Sequence, residues 1–154
     1  MIWAASLLVG INIIALFPPA IGSWALVPSL LPGTIGTIEG TSRVATEKDG
    51  AGFLIYGPGT PLLAGFYQVT LEYESSGAAT VPVSRVDVVY SPGLTDVADL
   101  QLPPSDANQG MFTYKFTVGK KQSLGPLFEF RVKYAGKGYL KVKRLTVTPI
   151  SLDY

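Results

Sequence analysis

The sequence predicts a mainly β protein: an antiparallel β-sandwich preceded by one N-terminal hydrophobic transmembrane helix. Three observations predict it. Apolar and polar residues alternate with period two in stretch after stretch beyond residue 60. Gly and Pro, seventeen and twelve in number, sit mostly between those stretches, where turns belong. The first 38 residues carry no Asp, Glu, Lys or Arg, so the first charge in the chain is Glu39.

The charge-free start reads as a membrane anchor over residues 1–31. Ile2 to Phe17 holds one amide, Asn12, and one hydroxyl, Ser6. As a helix it would span roughly 24 Å, against about 30 Å of hydrocarbon. Continuation through Pro18 and Pro19 to Trp24 or Val27 would complete the crossing, with a kink at the prolines. Trp3 and Trp24 would then stand near opposite interfaces. The anchor residues are Trp3, Leu7, Leu8, Ile11, Ile14, Phe17 and Trp24. Ala4, Ala5, Ser6 and Gly10 offer small surfaces for packing against partner helices. Two other readings stay open: a cleaved signal peptide ending near Ala20-Ile21-Gly22, and a helix buried in a soluble core. The first lacks a basic n-region.

Residues 32–44 read as a linker, and 45–150 as the sandwich. Phe66 to Glu74 turns Tyr67, Val69, Leu71 and Tyr73 to one face. Val83 to Tyr90 turns Val86, Val88 and Tyr90 inward. Met111 to Val118 alternates Phe112, Tyr114, Phe116 and Val118 with Thr113, Lys115 and Thr117. Leu127 to Tyr134 alternates Phe128, Phe130, Val132 and Tyr134 with Glu129, Arg131 and Lys133. Tyr139 to Thr148 alternates and then slips at Lys143-Arg144, the mark of a β-bulge. Phe53–Tyr56 and Val97–Leu102 are shorter strands. No stretch beyond residue 40 repeats with a helical period. One polar and one apolar face per strand is the pattern of an antiparallel sandwich.

The run Gly52 to Tyr67, GFLIYGPGTPLLAGFY, with the later SRVDVVYSPG and LFEFRVKYAGKGYLKVKRLTV, resembles a known group. It is similar to the jelly-roll, carbohydrate-binding-like modules attached to bacterial envelope polysaccharide enzymes and glycosyltransferases. Tyr56-Gly57-Pro58, Pro61-Leu62, Gly65, Tyr67 and Phe128 to Val132 carry the likeness, over residues 45–148. The resemblance implies a jelly-roll fold, a glycan as ligand and a place on the periplasmic side of the cell (inner) membrane. It transfers no functional residue.

Catalysis is not expected. With no His and no Cys, a Ser/His/Asp triad and thiolate metal sites are excluded. Glu72 and Glu74 share a strand face and read as solvated acids. Asp96, Asp99, Asp106 and Asn108 read as turn residues without a calcium-loop spacing. Gly57-Pro58-Gly59 and Gly136-Lys137-Gly138 are turns, not phosphate loops. No cofactor or metal is implied. Tyr67, Tyr73, Tyr114 and Tyr134 fall on inward positions and belong to the core. Phe66 and Tyr139 fall out of phase and are the candidate glycan platform.

Charge is unevenly placed. Residues 39–114 hold three Lys and Arg against nine Asp and Glu, and residues 115–154 hold nine against two. Lys115, Arg131, Lys133, Lys141 and Lys143 take outward positions and would form one basic face if their strands share a sheet. Such a face beside an anchor suits membrane lipid headgroups or an acidic partner subunit. Nucleic acid is not expected, since no aromatics interleave with these residues. The leading expectation is a non-catalytic accessory subunit of a larger membrane complex, respiratory, photosynthetic or polysaccharide-exporting, braced by the sandwich. The alternative is a membrane-tethered glycan-binding module.

Overall fold

A computed structural model describes residues 22–76, 84–91, 95–103 and 110–152. The described strands are β1 (Trp24–Leu26), β2 (Thr37–Glu39), β3 (Ser42–Ala45), β4 (Gly52–Ile55), β5 (Pro58–Thr60), β6 (Gly65–Ser76), β7 (Ser84–Tyr90), β8 (Thr95–Leu102), β9 (Gly110–Val118), β10 (Phe128–Tyr134) and β11 (Tyr139–Leu152). They form two antiparallel sheets. One runs β2-β3-β11-β6-β9, with β1 also on β11; the other runs β4-β10-β7-β8, with β5 also on β10. The expected strands are present, each with ends within a few residues. The slip at Lys143-Arg144 is a register shift between Val142 and Arg144 against β6. A second shift follows between Pro149 and Ser151.

Period two explains the core. Tyr67, Val69, Leu71, Val142, Leu145 and Val147 point in from one sheet, and Val86, Val88, Phe128, Phe130 and Val132 from the other, all fully buried. Tyr67 stacks on Phe116 at 5.3 Å, and Phe116 meets Phe130 edge-on at 5.9 Å across the two sheets. Such pairs add about 0.5–1.5 kcal/mol beyond the area they bury. The four tyrosines expected inside are there. Three turn their hydroxyls to carbonyls: Tyr67 to Leu63, Tyr73 to Pro103 and Tyr134 to Gly138. Tyr114 has no partner for its hydroxyl among the described residues, and burial pushes its pKa up. An unpaired buried hydroxyl is a cost. Tyr114→Phe is therefore expected to raise the unfolding free energy by about 1 kcal/mol, seen as a higher denaturant midpoint with an unchanged slope.

The sandwich begins earlier than expected. Trp24, assigned to the anchor, opens β1, with Trp24 opposite Val147 and Leu26 opposite Leu145 on β11. Leu26 and Leu31 join the core. The reason is that an apolar run too short to show a period fits strand and helix alike, and β11 offered an unpaired edge. The expected linker is not a linker either. Residues 31–36 form a strap over β4, and β2 and β3 extend the larger sheet. Gly36 makes the strap fit: its φ is +81°, and a Cβ there would lie 2.5 Å from the Val44 carbonyl oxygen. Trp3, Leu7, Leu8, Ile11, Ile14 and Phe17 lie outside the described residues. Among the described residues no helix is long and apolar enough to cross a membrane.

Candidate functional site

The five expected basic residues do not form one face. Lys115, Lys141 and Lys143 lie on β9 and β11 of the larger sheet, while Arg131 and Lys133 lie on β10 of the other. Four of them are paired. Lys141 reaches Glu39 at 2.8 Å, Lys143 binds Glu74, and Arg131 and Lys133 both reach Asp87. The sequence showed outward phase but not sheet membership, and β10 and β11 are neighbours in the chain while belonging to different layers. Lys115 is exposed.

Phe66 and Tyr139 do not form one platform. Both lie on the larger sheet, but Tyr139 stands opposite Ser76 at the other end of β6 from Phe66. Ten residues of strand at about 3.3 Å each separate them by roughly 33 Å. Phe66 is exposed and Tyr139 half-buried. Of the four loop residues weighed for calcium, Asp96 and Asp99 lie in β8, where Asp99 binds Arg85 at 2.9 Å. Asp106 and Asn108 lie outside the described residues. Glu72 lines a hollow of about 320 Å³ with Tyr73, Gly110, Met111 and Lys143, with no exposed ring in it.

A different aromatic site is present on the outer face of the smaller sheet. Phe53 of β4 and Tyr56, just beyond β4, meet edge-on with ring centroids 6.2 Å apart at 71°. Residues three apart cannot share a face of a regular strand. Here β4 stops at Ile55, and the Tyr56 amide donates to the Pro32 carbonyl at 2.9 Å, so the ring swings beside Phe53. Thr34 fixes the strap: its amide donates to the Phe53 carbonyl at 2.8 Å, and its hydroxyl accepts from the Phe53 amide at 3.0 Å. From β10 come Glu129 and Arg131. These five residues line a mostly apolar hollow of about 350 Å³, within the range of about 300–1,000 Å³ for small-ligand sites.

The polar side of the hollow is held from the neighbouring strand, where Asp87 stands opposite Arg131. Asp87 of β7, fully buried, accepts from Arg131 Nε at 2.6 Å and Nη2 at 2.9 Å, and from Lys133 Nζ at 2.9 Å. The hydrogen bond to Asp87 holds the Arg131 pKa above its usual value. The guanidinium carbon lies 5.0 Å from the Phe53 ring centre. Arg131 is thus fixed by a forked ion pair and by a cation–π contact. The Glu129 side chain makes no hydrogen bond or ion pair with any described residue and is half-exposed, so its carboxylate remains able to accept from a ligand. Chemically, the hollow offers a ring for apolar C–H faces, an acceptor for hydroxyls and a rigid cation.

Sequence reading missed Phe53, Tyr56 and Glu129 as a site. A signal existed: Phe53-Leu-Ile-Tyr56-Gly-Pro puts two aromatics out of phase just before a strand-breaking pair. The strap residue Thr34 had none.

The described strands thus form a two-sheet antiparallel β-sandwich with an aromatic hollow on the outer face of its smaller sheet. No protein-family model and no curated protein matches the sequence. Among solved structures, the chain resembles the C-terminal CBM6 of LamC, a marine laminarinase from Zobellia galactanivorans, at TM-score 0.53 and 13% identity, covering 82% of this chain and 98% of that one. It also resembles CBM6cm-2 from Cellvibrio mixtus lichenase 5A, solved with cellotriose, at 0.53 and 10% identity, with 83% and 98% covered. A CBM35 from Cellvibrio japonicus matches at 0.52 and 16% identity, with 85% and 96% covered. At these identities the likeness is one of fold.

Proposed function

We propose that the chain is a non-catalytic glycan-binding module whose site is the Phe53–Tyr56 hollow. The observation that carries this is the pairing of two solvent-reachable rings with the unpaired Glu129 carboxylate and the immobilised Arg131 on one sheet face. A pyranose stacks its C–H face on the Tyr56–Phe53 corner. Glu129 accepts from two neighbouring hydroxyls, and Arg131 donates to a ring or hydroxyl oxygen. Each charge-assisted bond is worth about 1.5–3 kcal/mol. The similar folds include carbohydrate-binding modules, one of them solved with cellotriose, which favours a glycan over other ligands of the same shape. A bracing role in a membrane complex rested partly on a single basic face, and the division of those residues between two sheets removes that support.

The reading is tested by screening the full chain on an array of neutral and acidic oligosaccharides, cellotriose included. Binding to a defined subset is expected. Cleavage of any bound oligosaccharide would contradict the non-catalytic assignment. Glu129→Gln, which keeps shape and removes charge, is expected to weaken binding by about tenfold or more, as read by calorimetric titration.

A further inference from the structure

One end of the sandwich carries a different surface. Register places Gly65 at the start of β6 opposite both Val118 at the end of β9 and Leu152 at the end of β11. The loop 119–127 joins β9 to β10 at this end, with the Leu127 carbonyl accepting from the Ser91 amide at 3.0 Å. Gathered there are Phe66, Leu124 and Ile150, with 55%, 83% and 51% of their surface exposed. Among the described residues 65–68, 117–127 and 149–152, the only charged side chains are Lys120 and Lys121. Exposed apolar groups gathered in this way mark an interaction surface.

The position of the chain indicates what meets it. β1 runs antiparallel to β11, so the segment before Trp24 leaves the fold toward this same end. Ser23 Oγ lies 3.2 Å from Thr148 Oγ1, one step further along β11. Residues 1–21, which precede this segment in the chain, contain no charged side chain and a long apolar run. An apolar segment, three exposed apolar residues and the exposed Lys121 converge on one end. The opposite end differs: its exposed Ile38 is flanked by Glu39 and stands opposite Arg43.

We propose that this end of the sandwich seats on an anionic lipid bilayer. Phe66, Leu124 and Ile150 enter the interfacial layer, and Lys121 meets headgroup phosphates. The hollow at Phe53 and Tyr56 lies on a sheet face rather than on this end, so a seated module keeps it open to solvent.

The chain has no native Cys, so single-site labels are unambiguous. Full-length Leu124→Cys, Ile150→Cys, Ile38→Cys and Met111→Cys variants would carry a fluorophore and be mixed with vesicles of phosphatidylcholine and a minority of phosphatidylglycerol. Brominated lipids would then report depth. Quenching several-fold stronger at 124 and 150 than at 38 and 111 is the expected result. Equal quenching at all four sites would overturn the proposal, since a chain held by residues 1–21 alone shows that pattern. Shielding of 124 and 150 from aqueous iodide without vesicles would also overturn it, because residues 1–21 or a second copy would then cover the end.

Discussion

Asp87→Ala is expected to lower the unfolding free energy by about 3–5 kcal/mol, the cost of leaving a buried charge without its partner. Asp87 has no exposed surface and receives the forked pair from Arg131 and a third contact from Lys133. Arg131 keeps 10% of its side-chain surface exposed and cannot easily leave, whereas Lys133, at 37%, can turn into water. The lost stability therefore comes mainly from Arg131. Asp87→Leu with Arg131→Met, which removes both charges, is expected to recover most of it. Denaturant unfolding of the single and paired variants measures the difference. A single variant as stable as the parent would show that the pair contributes nothing. Because Arg131 also lines the hollow, Asp87→Ala should weaken glycan binding while the protein is still folded.

The second large effect is at the rings. Tyr56→Ala removes one wall of the corner while Phe53 stays packed by Arg131. Truncating an anchoring aromatic costs roughly 2 kcal/mol or more, about thirtyfold in affinity. Tyr56 is half-exposed and its ring touches no core cluster, so folding should be little affected. Tyr56→Phe should retain most of the affinity, since the stacking face is kept. A loss equal to that of Tyr56→Ala would move the contribution from the ring to the hydroxyl.

Much of the fold was legible because period two is a local signal. The inward phase of FYQVTLEYE, MFTYKFTV and LFEFRVKY names the core correctly, and the slip at Lys143-Arg144 names a bulge. Trp24–Leu26, Thr37–Glu39, Ser42–Ala45 and Pro58–Thr60 escaped, since three or four residues do not establish a period. Their pairing is decided by β11, β3 and β10, which are distant in sequence. The same limit hid the site. Outward phase at Arg131 and Lys133 was readable, but not that Asp87, 44 residues earlier than Arg131, stands opposite Arg131 on the neighbouring strand β7. The strap residue Thr34 reaches Phe53 only through β4. Sheet membership, which divides Lys141 and Lys143 from Arg131 and Lys133, is not written in alternation.

Calorimetric titration of the full chain with the tightest oligosaccharide from the array, using the parent, Tyr56→Ala and Phe66→Ala in parallel, tests the central claim most directly. Binding by the parent, retained in Phe66→Ala and lost in Tyr56→Ala, is the result predicted for a site at the Phe53–Tyr56 hollow. Binding unchanged in Tyr56→Ala, or absent from all three, would contradict it.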